Sequence, residues 1–254
     1  MRLNFSKNRE LPIEALRTGI RCMEQQTPEE VFRSNPGMAV LLQNDRALLC
    51  RKSVTPLMWK QFLKNFFIAE LAGPHKELAG LFAPLAEKAE APCVLGGHVL
   101  VSRLDIGSDG CVFKTAGGFA LKITGDSGKN KLEREYRLLK QIRHENIVRC
   151  FDFITGNGFA AMVMELLTPE PGDESSYIRA LEHCHSQGIL HGDIRVKNLG
   201  RDLQNRSKIF DFGNARTALS EEEKISEIKM LKNVLRSPAF QKCTGTVHCG
   251  GGSC

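Results

Sequence analysis

Apolar positions along the chain change their period near residue 93. Before that point the spacing is helical. From Thr55-Pro56 onward, Leu57, Trp59, Phe62, Leu63, Phe66, Phe67 and Leu71 recur at three- and four-residue steps, which predicts an amphipathic helix. A second helical stretch carries Leu78, Leu81, Phe82 and Leu85, with Pro84 placed to kink or end it. Thr27-Pro28-Glu29-Glu30 predicts a helix start: threonine caps, proline suits the first turn, and Glu30 closes a capping box. Between these segments, residues 38–42 and 46–50 read as two short strands around a turn. Residues 1–92 are thus expected to form a mostly helical N-terminal extension whose aromatic stripe packs on the neighbouring domain.

After residue 93 the pattern becomes that of strands. Residues 99–104, 111–115 and 119–123 are β-rich, separated by the turns Gly107-Ser108-Asp109-Gly110 and Ala116-Gly117-Gly118. A polar loop leads to a helix carrying Leu132, Tyr136, Leu139 and Ile142. Two further strands, 148–154 and 159–167, flank Thr155-Gly156-Asn157-Gly158, and a helix is expected over 176–185. Residues 191–213 read as strand and loop. Ser220-Glu221-Glu222-Glu223 is a second capping box, opening a helix with Ile225, Ile228, Leu231 and Leu235 on one face. The Gly- and Cys-rich stretch 241–254 reads as a flexible tail.

Composition narrows the classes. With 42% hydrophobic and 25% charged residues, the 254-residue chain is globular rather than disordered, collagenous or fibrous. Its formal charge of +6 suits a phosphate-bearing ligand, but is too small and too dispersed for nucleic acid. No apolar run reaches the roughly 18 residues of a membrane span, so neither nucleic acid nor membrane is expected as a partner. Nine scattered cysteines and a start without a basic-then-apolar leader predict a reduced, intracellular, cytoplasmic protein. Cys243, Cys249 and Cys254 with His248 are spaced too widely for a zinc site and read as a thiol tail.

Four chemical parts then occur in order. Gly107 and Gly110 sit between two strands, where small residues let backbone amides approach phosphates. Lys122 is a charge inside the apolar strand Ala120-Leu121-Lys122, and needs a carboxylate there; Glu135 on the following helix is placed to supply one. In His191-Gly192-Asp193-Ile194-Arg195-Val196-Lys197-Asn198, Asp193 can accept a proton from a hydroxyl. Asn198, and Asp211 in Asp211-Phe212-Gly213, are hard oxygen ligands suited to magnesium shared with phosphates.

On these motifs the segment from about 98 to 216 resembles the eukaryotic protein kinase domain. The run from Glu135 through His144 and Asn146 to Val148 is similar to that family's regulatory helix and the strand entry after it, and this likeness selects Glu135 over Glu133 as the partner of Lys122. The resemblance implies an α+β, protein-kinase-like bilobal fold: a small lobe over 93–167 with five antiparallel strands and one helix, then an abbreviated, mainly helical lobe over 168–240. It implies ATP and magnesium. Gly107, Gly110, Val112, Ala120 and Lys122 would contact the nucleotide, with the Glu165 to Leu167 backbone on the adenine edge and Met164 as gatekeeper. Asp193 would be the catalytic aspartate and Asn198 and Asp211 the metal ligands, while Phe212 would pack between the lobes.

The sequence also departs from the family. Asp105 stands where the first glycine of the Gly-rich loop would be, and Gly192 replaces the catalytic-loop arginine, which removes the cation that reads a phosphorylated activation loop. Arg195 and Lys197 leave the hydroxyl preference ambiguous. Residues 168–190 leave little room for the helix before the catalytic loop, and no Ala-Pro-Glu motif follows Gly213. The expected function is ATP- and magnesium-dependent transfer of the γ-phosphate to a protein Ser/Thr hydroxyl. The alternatives are a pseudokinase or nucleotide-binding scaffold, and a small-molecule phosphotransferase of the aminoglycoside-kinase type.

Overall fold

The computed structural model describes residues 10–34, 55–87, 92–170, 172–238 and 240; the predicted strands at 38–50 and the tail 241–254 lie outside them. The fold is α+β and of protein-kinase type, in two compact units. One comprises Met1–Lys129 with Ile154–Ala161, the other Asn130–Phe153 with Met162–Cys254.

The first unit opens with strand β1 (Leu11–Pro12) and helices α1 (Ile13–Glu24) and α2 (Pro28–Ser34). The capping box of α2 forms in both directions: Thr27 Oγ1 accepts from the Glu30 amide, and Glu30 accepts from the Thr27 amide at 2.9 Å. Helix α3 (Pro56–Ala72) is capped by Thr55. It buries six of its seven predicted apolar positions, while Leu57 in the first turn stays 78% exposed. Trp59 stacks on Phe62 and its indole N–H donates to the Met23 carbonyl, which ties α3 to α1. Pro84 does not end helix α4 (Ala79–Glu87), which continues past it.

These helices pack on a sheet of β2 (Cys93–Leu95), β3 (His98–Gly107), β4 (Gly110–Thr115), β5 (Phe119–Gly125), β6 (Cys150–Gly156) and β7 (Phe159–Glu165). Strand order is β1-β3-β4-β5-β7-β6, with β2 also on β3. The five predicted strands are therefore joined by two short ones, β1 and β2, which together cover the edge of β3. Covering an edge removes a row of unpaired backbone groups. Phe82 of α4 lies 5.5 Å from Phe113 of β4, both fully buried, so the helical segment and the sheet share one core.

In the second unit, α5 (Lys129–Gln141) buries Leu132, Glu135 and Leu139. The strand predicted from 148 begins at Cys150, because Val148 and Asn146 bond instead to Ile209 of β11 (Ser207–Ile209). After β8 (Leu167–Thr168) comes α6 (Glu174–Ser186), capped by Asp173. Strands β9 (Ile189–Leu190) and β12 (Arg216–Thr217) pair, and β10 (Leu199–Asp202) lies between β11 and β8. Helix α7 (Glu221–Leu235) buries Leu231 and Leu235, but Ile225 is 53% exposed and the inner face is completed by Glu227. No helix among the described residues is long and apolar enough to cross a membrane. Cys22, Cys93, Cys111, Cys150 and Cys184 are free thiols, and burial pushes the Cys111 thiol up to about 12.

Candidate active site

In the first unit, β3 and β4 meet in a two-residue hairpin with Gly107 opposite Gly110. The two glycines differ in kind. Gly110 has φ +139, and a Cβ there would run into the Ile123 carbonyl, so the fold itself demands glycine. Gly107 is exposed and a Cβ on it would meet nothing within 4 Å. Packing gives no reason for a glycine at 107, whereas open backbone suits a phosphate cradle. Asp105 turns its carboxylate onto the Ile106 amide at 2.8 Å, which occupies one carboxylate oxygen locally. Val112 of β4 pairs with Lys122 of β5, and Lys114 with Ala120. Lys122 is 8% exposed, flanked by the fully buried Leu121 and Ile123.

In the second unit, Glu135 is 4% exposed on the apolar stripe of α5. Asp193 and Asn198 come together: the Asn198 Nδ2 donates to the Asp193 carbonyl at 2.8 Å and to its Oδ2 at 3.1 Å. Arg195 also donates to Asp193 Oδ2. The Phe210 amide donates to the Asn198 carbonyl at 3.1 Å, which sets the Asp211 turn beside Asn198. Asp211 itself is left-handed, φ 67 and ψ 65, a conformation that costs a non-glycine residue about 1–2 kcal/mol. Phe212 is buried, its ring 4.5 Å from that of His191.

His191 joins the two loops. Its Nε2 lies 3.0 Å from the Phe210 carbonyl, so that nitrogen carries the proton, and Nδ1 accepts from the Asp193 amide at 3.2 Å. Burial lowers its pKa, so the ring is neutral at pH 7 and this tautomer can persist. Gly192 has φ +78 and a Cβ would strike the Asn214 carbonyl. An arginine at this position would therefore be strained.

Sequence reasoning missed Glu227. From α7 its carboxylate accepts from the amides of Gly192 (2.8 Å) and His191 (3.2 Å) and pairs with His185 Nε2 at 2.8 Å. Burial alone would raise its pKa, yet these hydrogen bonds hold it below the ordinary glutamate value. The signal was present: stepping back by four from Leu235 and Leu231 lands on Glu227, a carboxylate on the inner face. Lys208 was also missed. It is 3% exposed on β11, with Nζ 2.9 Å from Glu165 Oε1 and 3.6 Å from Asp202 Oδ2. Glu165 also accepts from the Arg149 amide at 2.6 Å, and its own N–H donates to the Arg149 carbonyl. The Glu165 backbone N–H is thus already engaged within the protein. Leu167 lies on β8, opposite Asp202.

No protein-family model matches the chain. Among curated proteins it is similar to CBL-interacting serine/threonine-protein kinase 1 of Arabidopsis thaliana, 31% identical over 155 residues, 50% of this chain and 35% of the relative. It is 33% identical to calcium/calmodulin-dependent protein kinase type II of Caenorhabditis elegans over 41% of this chain and 18% of the relative. A hormonally up-regulated neu tumor-associated kinase homolog of Xenopus tropicalis is 33% identical over 32% of this chain and 14% of the relative. The chain spans about a third or less of the length of these relatives. In motif order and in these relatives, the motif-bearing part of this chain is similar to the eukaryotic-type protein kinase domain.

Proposed function

We propose that the protein is an ATP- and magnesium-dependent kinase that transfers the γ-phosphate to a Ser/Thr hydroxyl of a protein. The observation that carries this reading is the hydrogen-bonded gathering of Asp193, Asn198 and the Asp211 turn in the second unit. Asn198 spends its Nδ2 on Asp193, which leaves Oδ1 as its metal-binding atom; the Asp211 carboxylate is the second hard oxygen. Magnesium held there would neutralise charge on the phosphates. Asp193, oriented by Asn198 and Arg195, accepts the proton of the attacking hydroxyl. The kinase resemblance assigns Lys122 to the α- and β-phosphates and gives Glu135 the role of its carboxylate partner. The hairpin backbone at Gly107 and Gly110 cradles phosphate, Val112 and Ala120 line the adenine, and the Glu165 carbonyl and Leu167 backbone meet its edge.

Labelled ATP and a panel of protein and small-alcohol acceptors test the proposal. Wild type should label protein Ser/Thr, and Asp193→Asn should lose transfer by about 100-fold or more. Lys122→Ala should lose the thermal stabilisation that ATP with magnesium confers. Label on a small alcohol alone would make the protein a small-molecule phosphotransferase. Nucleotide binding without transfer would make it a scaffold.

A further inference from the structure

The exit of helix α3 lies along the glycine hairpin, residue by residue. Arg103 of β3 donates to the Glu70 carbonyl and lies 3.7 Å from the Glu70 carboxylate. The Cys111 thiol donates to the Ala72 carbonyl at 3.4 Å. Gly73, at φ +57, lies so close to Ile106 that a Cβ would collide with that side chain. His75 Nε2 is 2.7 Å from the Gly107 carbonyl, and since a carbonyl only accepts, this nitrogen donates. Glu77 lies over Gly125 at the end of β5 and accepts from Ser127 at 2.7 Å. Residues 70–77 thus touch both strands of the hairpin and the strand after it.

The hairpin needs such support. A two-residue loop is self-stabilising when its central residues take positive φ, as in Asn-Gly or Gly-Gly turns. Neither Ser108 nor Asp109 does. The tip therefore lacks the turn that would fix it from within. In a trans peptide, moreover, the carbonyl and the next N–H point in opposite directions. Holding the Gly107 carbonyl on His75 directs the Ser108 N–H away from the extension.

We infer that residues 70–77 are a built-in clamp for the glycine hairpin, and that His75 is a positioning residue that orients the Gly107–Ser108 peptide for a phosphate-bearing nucleotide. The nucleotide part rests on the function proposed above; the clamp itself does not. A hairpin ordered in advance spares the ligand the cost of ordering it, so the clamp acts on nucleotide affinity more than on turnover.

Hydrogen exchange of the 106–111 amides and titration with ATP and magnesium, on the full chain, test both parts. His75→Ala should speed exchange at the tip and raise the nucleotide Kd and KM about fivefold, the worth of one hydrogen bond, with kcat little changed. His75→Gln, which keeps a donor, should recover most of the loss. Lys60→Ala, exposed on α3 and outside the clamp, should change neither. Unchanged exchange and affinity in His75→Ala would overturn the clamp and leave the kinase reading intact. A wild type that binds no nucleotide, while exchange still responds to His75→Ala, would sink the kinase reading and uphold the clamp. A fall in kcat at constant KM would overturn the assignment of His75 to nucleotide positioning.

Discussion

The glycine hairpin and the loop over residues 191–198 both carry proposed site residues, yet they are held by different physics. The hairpin tip is gripped from outside by one imidazole at the surface. The loop is held from beneath by a buried carboxylate, with Glu227 gathering two loop amides and His185 while His191 ties the loop to the Asp211 turn. A surface grip can loosen without unfolding anything. A buried polar hub cannot, because each donor it abandons is left without water. One element is therefore suited to tuning, and the other to permanence.

The hardest test of that contrast is Glu227→Ala. Removing one side of a buried charged network costs about 3–5 kcal/mol, so chemical denaturation should show a loss of that size, and transfer activity should vanish with it. A loss under about 1 kcal/mol would break the contrast. Next comes Gly192→Arg, which restores the arginine usual in this family. Positive φ and the Asn214 carbonyl make it destabilising by at least about 1–2 kcal/mol, with no gain of control by loop phosphorylation, as melting and activity assays would show.

Thr55→Ala removes the cap of α3 and should cost about 1 kcal/mol. Its effect on amide exchange should reach the hairpin and leave residues 191–198 untouched, which sharpens the distinction between the two regions. The mildest perturbation is acid. Folded His191 has a pKa below its ordinary 6.5, so the unfolded chain binds a proton first and stability declines as pH falls through 6.5 toward the folded value. Glu227, held below 4.5, contributes stability above that pH and loses it as pH falls through its own lower value. Denaturation midpoints from pH 8 to 2 should fall in two steps, the second below pH 4.5, and His191→Asn should flatten the first.

Local signals proved legible where the physics is local. The Thr27–Glu30 box forms as written, and in the Ser220 box the Glu223 carboxylate also accepts from the Leu219 amide. The α3 stripe is buried as its period requires, apart from Leu57 in the first turn. Asp193 and Asn198, five residues apart in one motif, bond directly. Ile225 misled, since helical spacing cannot say which of two apolar flanks faces inward.

Chain-local interactions thus determined the order of elements, the caps, the kinase-like motifs and the candidate chemistry at Asp193, Asn198 and Asp211. Only the tertiary structure decided what holds those groups. Glu227 reaches the loop across 35 residues, and His75 reaches Gly107 across 32. The physical reason is that hydrogen bonds and packing act through space, while sequence spacing reports only what lies within a turn or two.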